Sequence, residues 1–232
     1  MIAPGPSLKK RVGRLIPYPL IAWGRRLIHA GPQRCQVCGH GVRGRQDAGY
    51  GYPSLEELRV VGGMRRNRDR CPICHSTARE RLIWYYLTRR HLPWAGAAPD
   101  FAIAHFAPEK GLSARLAARF GKAYRAYDFA PARYRHLSEV GFQNLEALTL
   151  ADESVDLLIC NHVLEHVGSV PKALAEIRRV LKPEGLAILQ VPIALKLDRT
   201  REGTGDEDDA ARIERFGQAD HLRLFSRQGY ID

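Results

Sequence analysis

The 232-residue chain contains no run of the ~18 uninterrupted apolar residues that a membrane-spanning helix needs. The best stretch, Leu15 to Gly24, is broken by Pro17 and Pro19. No membrane span is expected, and the chain reads as soluble or peripheral. Cysteine is scarce as well, since five in this length are too few for a disulfide scaffold. The start, Met1 to Arg14, carries Lys9, Lys10, Arg11 and Arg14 but neither an apolar core nor a small-residue cleavage site, so a secretory signal is not expected. This reading places the thiols in a reducing, cytoplasmic compartment, where they stay free to bind metal. With 45% hydrophobic and 26% charged residues the composition is globular, which argues against disorder as the main state. The length leaves room for one sizeable domain and a small one.

Acidic residues are scarce in one part of the chain only. Residues 1–94 hold 18 Lys/Arg against 5 Asp/Glu, whereas residues 95–232 hold 18 against 20. The net charge of +11 is therefore a basic N-terminal region joined to a near-neutral remainder. Three regions follow: a basic arm over 1–34, a cysteine module with a helix over 35–94, and an α/β domain over 95–232. Pro4, Pro6, Pro17, Pro19 and Pro32 forbid a long helix in the arm, although Leu20 to His29 can be helical. Thr77 to Leu92 has Leu82, Ile83, Tyr86 and Leu87 at helical spacing, which predicts a helix burying one stripe. His91 to Asp100, with Pro93, Gly96 and Pro99, reads as a linker.

Four of the five cysteines form two pairs, Cys35/Cys38 and Cys71/Cys74, in the spacing Cys-x2-Cys-x32-Cys-x2-Cys. Two intervening residues let one turn aim both sulfurs at a single ion, and two such knuckles complete the closed tetrahedral set that Zn2+ prefers. Four thiolates leave no open coordination position, so the zinc would be structural. His40 and His75 stand beside the knuckles as substitute ligands that four cysteines make unnecessary. Cys160, inside an apolar run, reads as a core residue.

From Phe101 onward short apolar runs alternate with helical segments, the pattern of βα units around a mostly parallel sheet. Strands are expected near Phe101–Phe106, Ala123–Tyr127, Val155–Cys160 and Gly185–Val191. Helices are expected over Leu112–Phe120 and Pro171–Leu181, the latter with Leu174, Ile177 and Leu181 on its buried face. Gly203 to Asp209 is polar and acidic and reads as a mobile loop. There is no internal repeat. Phe101 to Gly111 takes an apolar strand through a turn into a helix, whose free N–H groups and positive dipole end suit an anionic group. Asp128 follows at the end of the next strand, where a carboxylate can accept ribose hydroxyls or cap the helix beginning near Pro131.

The stretch Asn144-Leu-Glu-Ala-Leu-Thr-Leu-Ala-Asp-Glu-Ser-Val-Asp-Leu-Leu-Ile-Cys-Asn-His-Val-Leu-Glu-His-Val167, followed by Ile177-Arg-Arg-Val-Leu-Lys-Pro-Glu-Gly185, resembles the fourth- and fifth-strand motifs of class I S-adenosylmethionine-dependent methyltransferases. The chain also resembles bacterial methyltransferases that carry an N-terminal pair of Cys-x2-Cys knuckles, through Arg70-Cys-Pro-Ile-Cys-His-Ser76 and the Arg-rich helix after it. The resemblance implies a Rossmann-like, mostly parallel sheet preceded by a small zinc-ribbon-like module, and it covers roughly residues 101–230. It also implies S-adenosylmethionine as cofactor, with Ala107, Glu109 and Gly111 in the first-motif turn and Asp128 on the ribose. Asn144 and Leu145 would meet the adenine, and Asn161 and His162 would lie beside the cofactor. The chain departs from the family where Ala107-Pro108-Glu109 replaces the usual Gly-x-Gly. It departs again after Tyr230, where the family continues through a helix and two further strands, so either the sequence is a fragment with an incomplete C-terminal sheet edge or that edge is built differently.

Methyl transfer from a sulfonium needs positioning, and a base where the acceptor is a hydroxyl or amine. His221, His162 and His166 are the candidate bases, with Glu165 in a supporting place. Three readings stay open. One is a methyltransferase for a small-molecule or saccharide acceptor. Another is an RNA methyltransferase whose basic module grips phosphates through Arg65-Arg-Asn-Arg-Asp-Arg70, with Tyr50, Tyr52 and Trp84 nearby. The third is a binding protein with a catalytically silent cofactor fold.

Overall fold

A computed structural model describes residues 18–89, 101–134, 137 and 139–231. Most of the basic arm before Tyr18 and the expected linker His91–Asp100 lie outside the described residues. The elements run in chain order as α1 (Tyr18–Ile28), β1 (Gln33–Arg34), β2 (Gly41–Val42), β3 (Gln46–Ala48), α2 (Pro53–Glu57), β4 (Val60–Val61), β5 (Arg66–Arg70) and α3 (Ala78–Arg89). They continue as β6 (Ile103–Phe106), α4 (Lys110–Phe120), β7 (Tyr124–Asp128), β8 (Gly141–Phe142), β9 (Val155–Asn161), α5 (Val170–Val180) and β10 (Leu181–Gln190). The last are β11 (Ile193–Ala194), β12 (Arg201–Glu202), α6 (Asp209–Phe216), β13 (Arg223–Ser226) and α7 (Gln228–Ile231).

The central sheet has five parallel strands in the order β10-β9-β6-β7-β8. The expected Rossmann-like fold is thereby observed. Its inner strands are apolar nearly throughout because both faces are covered. In β9, Leu158 and Cys160 face one core with Ala104, Phe106 and Ile177, while Leu157 and Ile159 face the other with Leu112 and Leu116. Cys160 is a buried core residue, as read from the sequence.

Three local expectations change. In α5 the buried stripe is Ala173, Ile177 and Val180, while Leu174 is 41% exposed. Ser169 caps this helix by accepting from the Lys172 N–H, and Pro171 lies in its first turn; from that start the stripe falls one residue away from Leu174. In α3, Leu82 is 61% exposed and Ile83 and Leu87 are the buried pair. Glu80 fixes this helix start by reaching back to Thr77, whose N–H donates to Glu80 Oε2 at 2.8 Å and whose hydroxyl donates to the same oxygen. The stretch Gly203–Asp209 is a tied turn: Glu207 accepts from the Thr204 and Gly205 N–H groups and pairs with Arg215.

Two contacts join the cysteine segment to the sheet. Ile83 and Leu87 of α3 pack in the same core as Leu112, Leu116 and Ile159. In addition, β4, from the long insert between the cysteine pairs, enters a second sheet of order β12-β13-β11-β4. Leu55 and Val60 from that insert share a core with Ala194, Phe216 and Leu224.

Buried polar groups meet at Glu109. Its carboxylate accepts from His105 Nε2 at 2.9 Å and Asn161 Nδ2 at 3.0 Å, and it lies 3.3 Å from the Arg79 guanidinium. His105 is itself fully buried, and its Nδ1 lies 3.0 Å from the Tyr124 hydroxyl. Burial opposes ionisation of Glu109, but the hydrogen bond and charge of His105 and the charge of Arg79 outweigh it and hold the carboxyl below its usual range. Glu109→Ala removes the acceptor shared by His105, Asn161 and Arg79 and is expected to cost about 3 kcal/mol in urea denaturation at neutral pH. Because the native pKa is depressed, this contribution is present above the ordinary carboxylate pKa and is lost as pH falls through the native value. The wild-type and variant stabilities should therefore converge in acid, and a variant as stable as wild type at pH 7 would contradict the assignment.

Candidate functional site

The order of the sheet reverses between β6 and β9, and in such a fold the crevice for ligands lies beyond the carboxyl ends of the strands at that point. A cleft of about 560 Å³ opens there, within the range of small-molecule sites. Its walls include Ala107 after β6, Asp128 and Phe129 at β7, Asn144, Leu145 and Glu146 after β8, and His162 and Val163 after β9. His166 and Asp220 complete the far side.

The two turns at the switch point are backbone-strained. Ala107 has φ 48° and His162 has φ 54°, the left-handed region that favours glycine. Ala107 thus holds a conformation that glycine adopts more readily, with its N–H donating to the Tyr127 carbonyl at 3.0 Å. The His162 N–H donates to the Gln190 carbonyl at 2.7 Å, and its Nδ1 lies 3.2 Å from Glu165 Oε1.

Asp128 lines the cleft and also caps the turn that follows it. Its Oδ1 accepts from the Ala130 N–H at 2.7 Å and its Oδ2 from the Tyr134 hydroxyl at 2.9 Å. The local-cap reading of this residue thus has a geometric basis, and the same side chain lines the cleft. Asn144 accepts from the Glu146 N–H at 3.0 Å, which shapes the turn carrying Leu145 into the wall. Glu146 in turn accepts from the Gly168 and Ser169 N–H groups at the start of α5.

Of the residues singled out from the sequence, the cleft brings together Ala107, Asp128, Asn144, Leu145, His162 and His166. Glu109, Gly111, Asn161 and His221 do not line it. Glu109 and Asn161 bond to each other beneath the floor. Gly111 faces the cysteines, and a Cβ there would meet the Cys74 carbonyl at 3.0 Å and its Sγ at 3.2 Å. His221 is buried behind the wall, its ring edge-on to His166 with centroids 4.7 Å apart. Burial, aided by the neighbouring His166, pushes the His221 imidazole down to about 4. Sequence reasoning missed Phe129, Tyr134 and Glu146. Phe129 directly follows Asp128 and leans on Phe142 at the rim, a position that its adjacency to the acidic residue signals. Gly62 of the cysteine insert approaches His162 so closely that a Cβ would lie 3.1 Å from Cε1, so the N-terminal segment borders the cleft.

The four cysteines converge. The Sγ atoms of Cys35, Cys38, Cys71 and Cys74 lie within 4.8 Å of one another. Cys35–Cys74 and Cys38–Cys71 are 3.8 and 4.0 Å apart, close to the about 3.8 Å that four sulfurs at Zn–S bond length set in a tetrahedron. The two knuckles repeat one geometry. In each, the first cysteine's N–H bonds to the carbonyl five residues on, and its carbonyl accepts from the N–H four residues on. That fourth residue is left-handed in both, Gly39 at φ 75° and His75 at φ 65°. Ser76 Oγ lies 3.4 and 3.1 Å from the Cys35 and Cys74 sulfurs. Hydrogen bonding from Cys38 pulls the Cys35 thiol down, and the same contact pushes the Cys38 thiol up. Among the described residues no helix is long and apolar enough to cross a membrane.

A family model for a methyltransferase domain matches residues 105–189. Among solved structures, the chain is similar to geranyl diphosphate C-methyltransferase from Streptomyces coelicolor A3(2), at 15% identity over 66% of this chain and 57% of that one, with a TM-score of 0.44. It is also similar to the YcgJ protein from Bacillus subtilis, at 20% identity over 56% and 58% of the two chains, with a TM-score of 0.34. A third is an S-adenosylmethionine-dependent methyltransferase from Mesorhizobium loti, at 18% identity over 47% and 50%, with a TM-score of 0.32. The chain spans about half the length of the solved structures it matches. No curated protein matches the chain. The segment from β6 to β10 thus matches a methyltransferase domain.

The strain at Ala107 is directly measurable. Ala107→Gly removes the left-handed penalty and is expected to stabilise the fold by about 1 kcal/mol, seen as a higher thermal midpoint. An unchanged or lower midpoint would show that Ala107 is not strained.

Proposed function

We propose that the protein is an S-adenosylmethionine-dependent methyltransferase acting on a small-molecule or saccharide acceptor, with the four cysteines holding a structural zinc ion. The observation that carries the reading is the cleft at the switch point, where Asp128, Asn144 and Leu145 meet Ala107 and His162. These residue types suit an adenosyl group: a carboxylate for ribose hydroxyls, an amide beside a ring edge, and Leu145 with Phe129 as apolar surface. When bound, S-adenosylmethionine supplies an activated methyl group.

The chain's own residues then have separate tasks. Asp128 orients the ribose, while Ala130 and Tyr134 hold its oxygens in place. Glu109 and Asn161 position the β6 and β9 ends from beneath, and Gly111 lets the helix start press against Cys74. His162, with φ in the left-handed region and its ring on the cleft surface, is placed to take a proton from an acceptor. His166 adjoins it, and His221 backs both. The zinc ion would fix the two knuckles from which α3 runs to the sheet.

The interior of the cleft favours a small acceptor over RNA. Of the residues considered for RNA contact, Trp84 is covered by Arg115 at 5.2 Å, and Asp69 engages Arg66 and Arg81 at 3.2 and 2.7 Å. Tyr50 and Tyr52 do stack on the surface, with centroids 6.2 Å apart. An electrophoretic shift with RNA that weakens steeply with salt would favour the RNA reading.

Two measurements test the proposal. In calorimetry, S-adenosylhomocysteine should bind wild type, and Asp128→Ala should weaken it at least about 10-fold, the scale of a lost charge-assisted hydrogen bond. Equal affinity in the variant, or no binding by wild type, would overturn the cofactor assignment. Metal analysis should give zinc in the purified protein, and Cys71→Ser should lose it together with a large drop in thermal midpoint. Absence of zinc, or zinc retained by the variant, would remove the knuckle reading.

A further inference from the structure

The wall of the cleft behind His162 holds a group of side chains that hydrogen bonding leaves unexplained. Glu165 is fully buried and His221 is 2% exposed. Yet Glu165 Oε2 and both His221 ring nitrogens have no hydrogen-bond partner among the described residues, and Glu165 Oε1 has only the ion-pair contact with His162 Nδ1 at 3.2 Å. Buried polar atoms are ordinarily hydrogen-bonded, so three orphans in one place call for a ligand. Glu165, His166 and His221 each offer one donor atom within 4.8 Å of the others. We propose that these three side chains bind one divalent transition-metal cation, at a site separate from the four cysteines and open toward the cleft.

The surroundings fit such an ion. His166 Nδ1 donates to the Asp220 carbonyl at 2.9 Å, which fixes the tautomer and leaves Nε2 with its lone pair available, the usual outer-shell arrangement of a ligating histidine. The two imidazoles stand at 83°, so their nitrogens can converge from different directions. A rigid frame carries the ligands. The Leu222 N–H donates to the Glu165 carbonyl at 2.9 Å, and the Arg223 guanidinium donates to the Leu164 and Val167 carbonyls at 2.9 and 2.6 Å. The segment bearing Glu165 and His166 is therefore clamped to the one bearing His221. Two nitrogens and one carboxylate oxygen select Mn2+, Fe2+, Co2+ or Zn2+ over the oxygen-seeking Mg2+ and Ca2+. Three protein ligands leave positions for outside ligands, and His166, Asp220 and His162 bring this cluster to the surface of the cleft.

The role of the ion rests on the methyltransferase reading above. An acceptor hydroxyl ligated to it would lose its proton to His162. Its oxygen would then bond the methyl carbon as the carbon–sulfur bond of the sulfonium breaks, leaving a thioether, a methyl ether and one proton.

Mn2+ is the probe, because it prefers nitrogen and oxygen ligands and leaves thiolate sites to zinc. Electron paramagnetic resonance titration of the full chain loaded with one zinc ion per chain should show one Mn2+ bound per chain. Glu165→Gln and His221→Ala should each weaken that binding at least about 10-fold. Circular dichroism establishes that each variant is folded, and Mn2+ should raise the thermal midpoint of wild type but not of Glu165→Gln, which keeps the side chain's shape. No Mn2+ bound by wild type, or equal binding by folded variants, overturns the proposal. S-adenosylhomocysteine binding measured on the same samples separates the two claims. Mn2+ binding without it sustains the cation site and removes the methyltransferase reading, whereas the converse removes the cation site alone.

Discussion

The buried carboxylate of Glu109 is the interaction on which the arrangement depends. It draws together His105 from β6, Asn161 from β9 and Arg79 from α3, groups that no other described contact brings to one place. An ionised carboxylate in that position is tolerable only because each partner donates to it or carries positive charge. The result is that the two strands flanking the switch point end level with each other and with the helix leaving the second knuckle. Ala107 and His162, the strained residues on either side of the cleft, each lie within two residues of a member of this cluster.

The same cluster explains how a basic cysteine segment becomes part of the cleft. Arg79 is anchored from above, Ile83 and Leu87 fill the face of the sheet beside α4, and Gly111 lets Cys74 approach without a clash. On the other side, β4 completes the second sheet and carries Gly62 to the His162 ring. The long stretch between the two cysteine pairs is therefore a connection that docks at both ends. The positive charge concentrated in residues 1–94 is in part consumed internally, by Arg79 on Glu109 and Glu80 and by Arg66 and Arg81 on Asp69.

Much of this was legible from local pattern. The strands β6, β7 and β9 follow from short apolar runs, the knuckles from spacing, and Asp128 from its place after a strand, while Asn144 comes from the resemblance alone. Periodicity was less reliable in choosing between adjacent faces of a helix. It placed Leu174 and Leu82 inward, whereas the caps at Ser169 and Thr77 set helix starts that turn them out. The polar core was not legible at all. Nothing local shows that Glu109 faces Asn161 rather than a ligand, or that His221 lies behind His166, because both depend on contacts between segments about 50 residues apart.

The central claim is that the crevice between the β6 and β9 ends holds the adenosyl group against Asp128 and Leu145. The most direct measurement is a crystal structure of the protein grown with S-adenosylhomocysteine. The account predicts ribose oxygens within hydrogen-bond distance of the Asp128 carboxylate and the adenine beside Leu145. A ligand bound elsewhere, or an empty crevice at saturating S-adenosylhomocysteine, would contradict it.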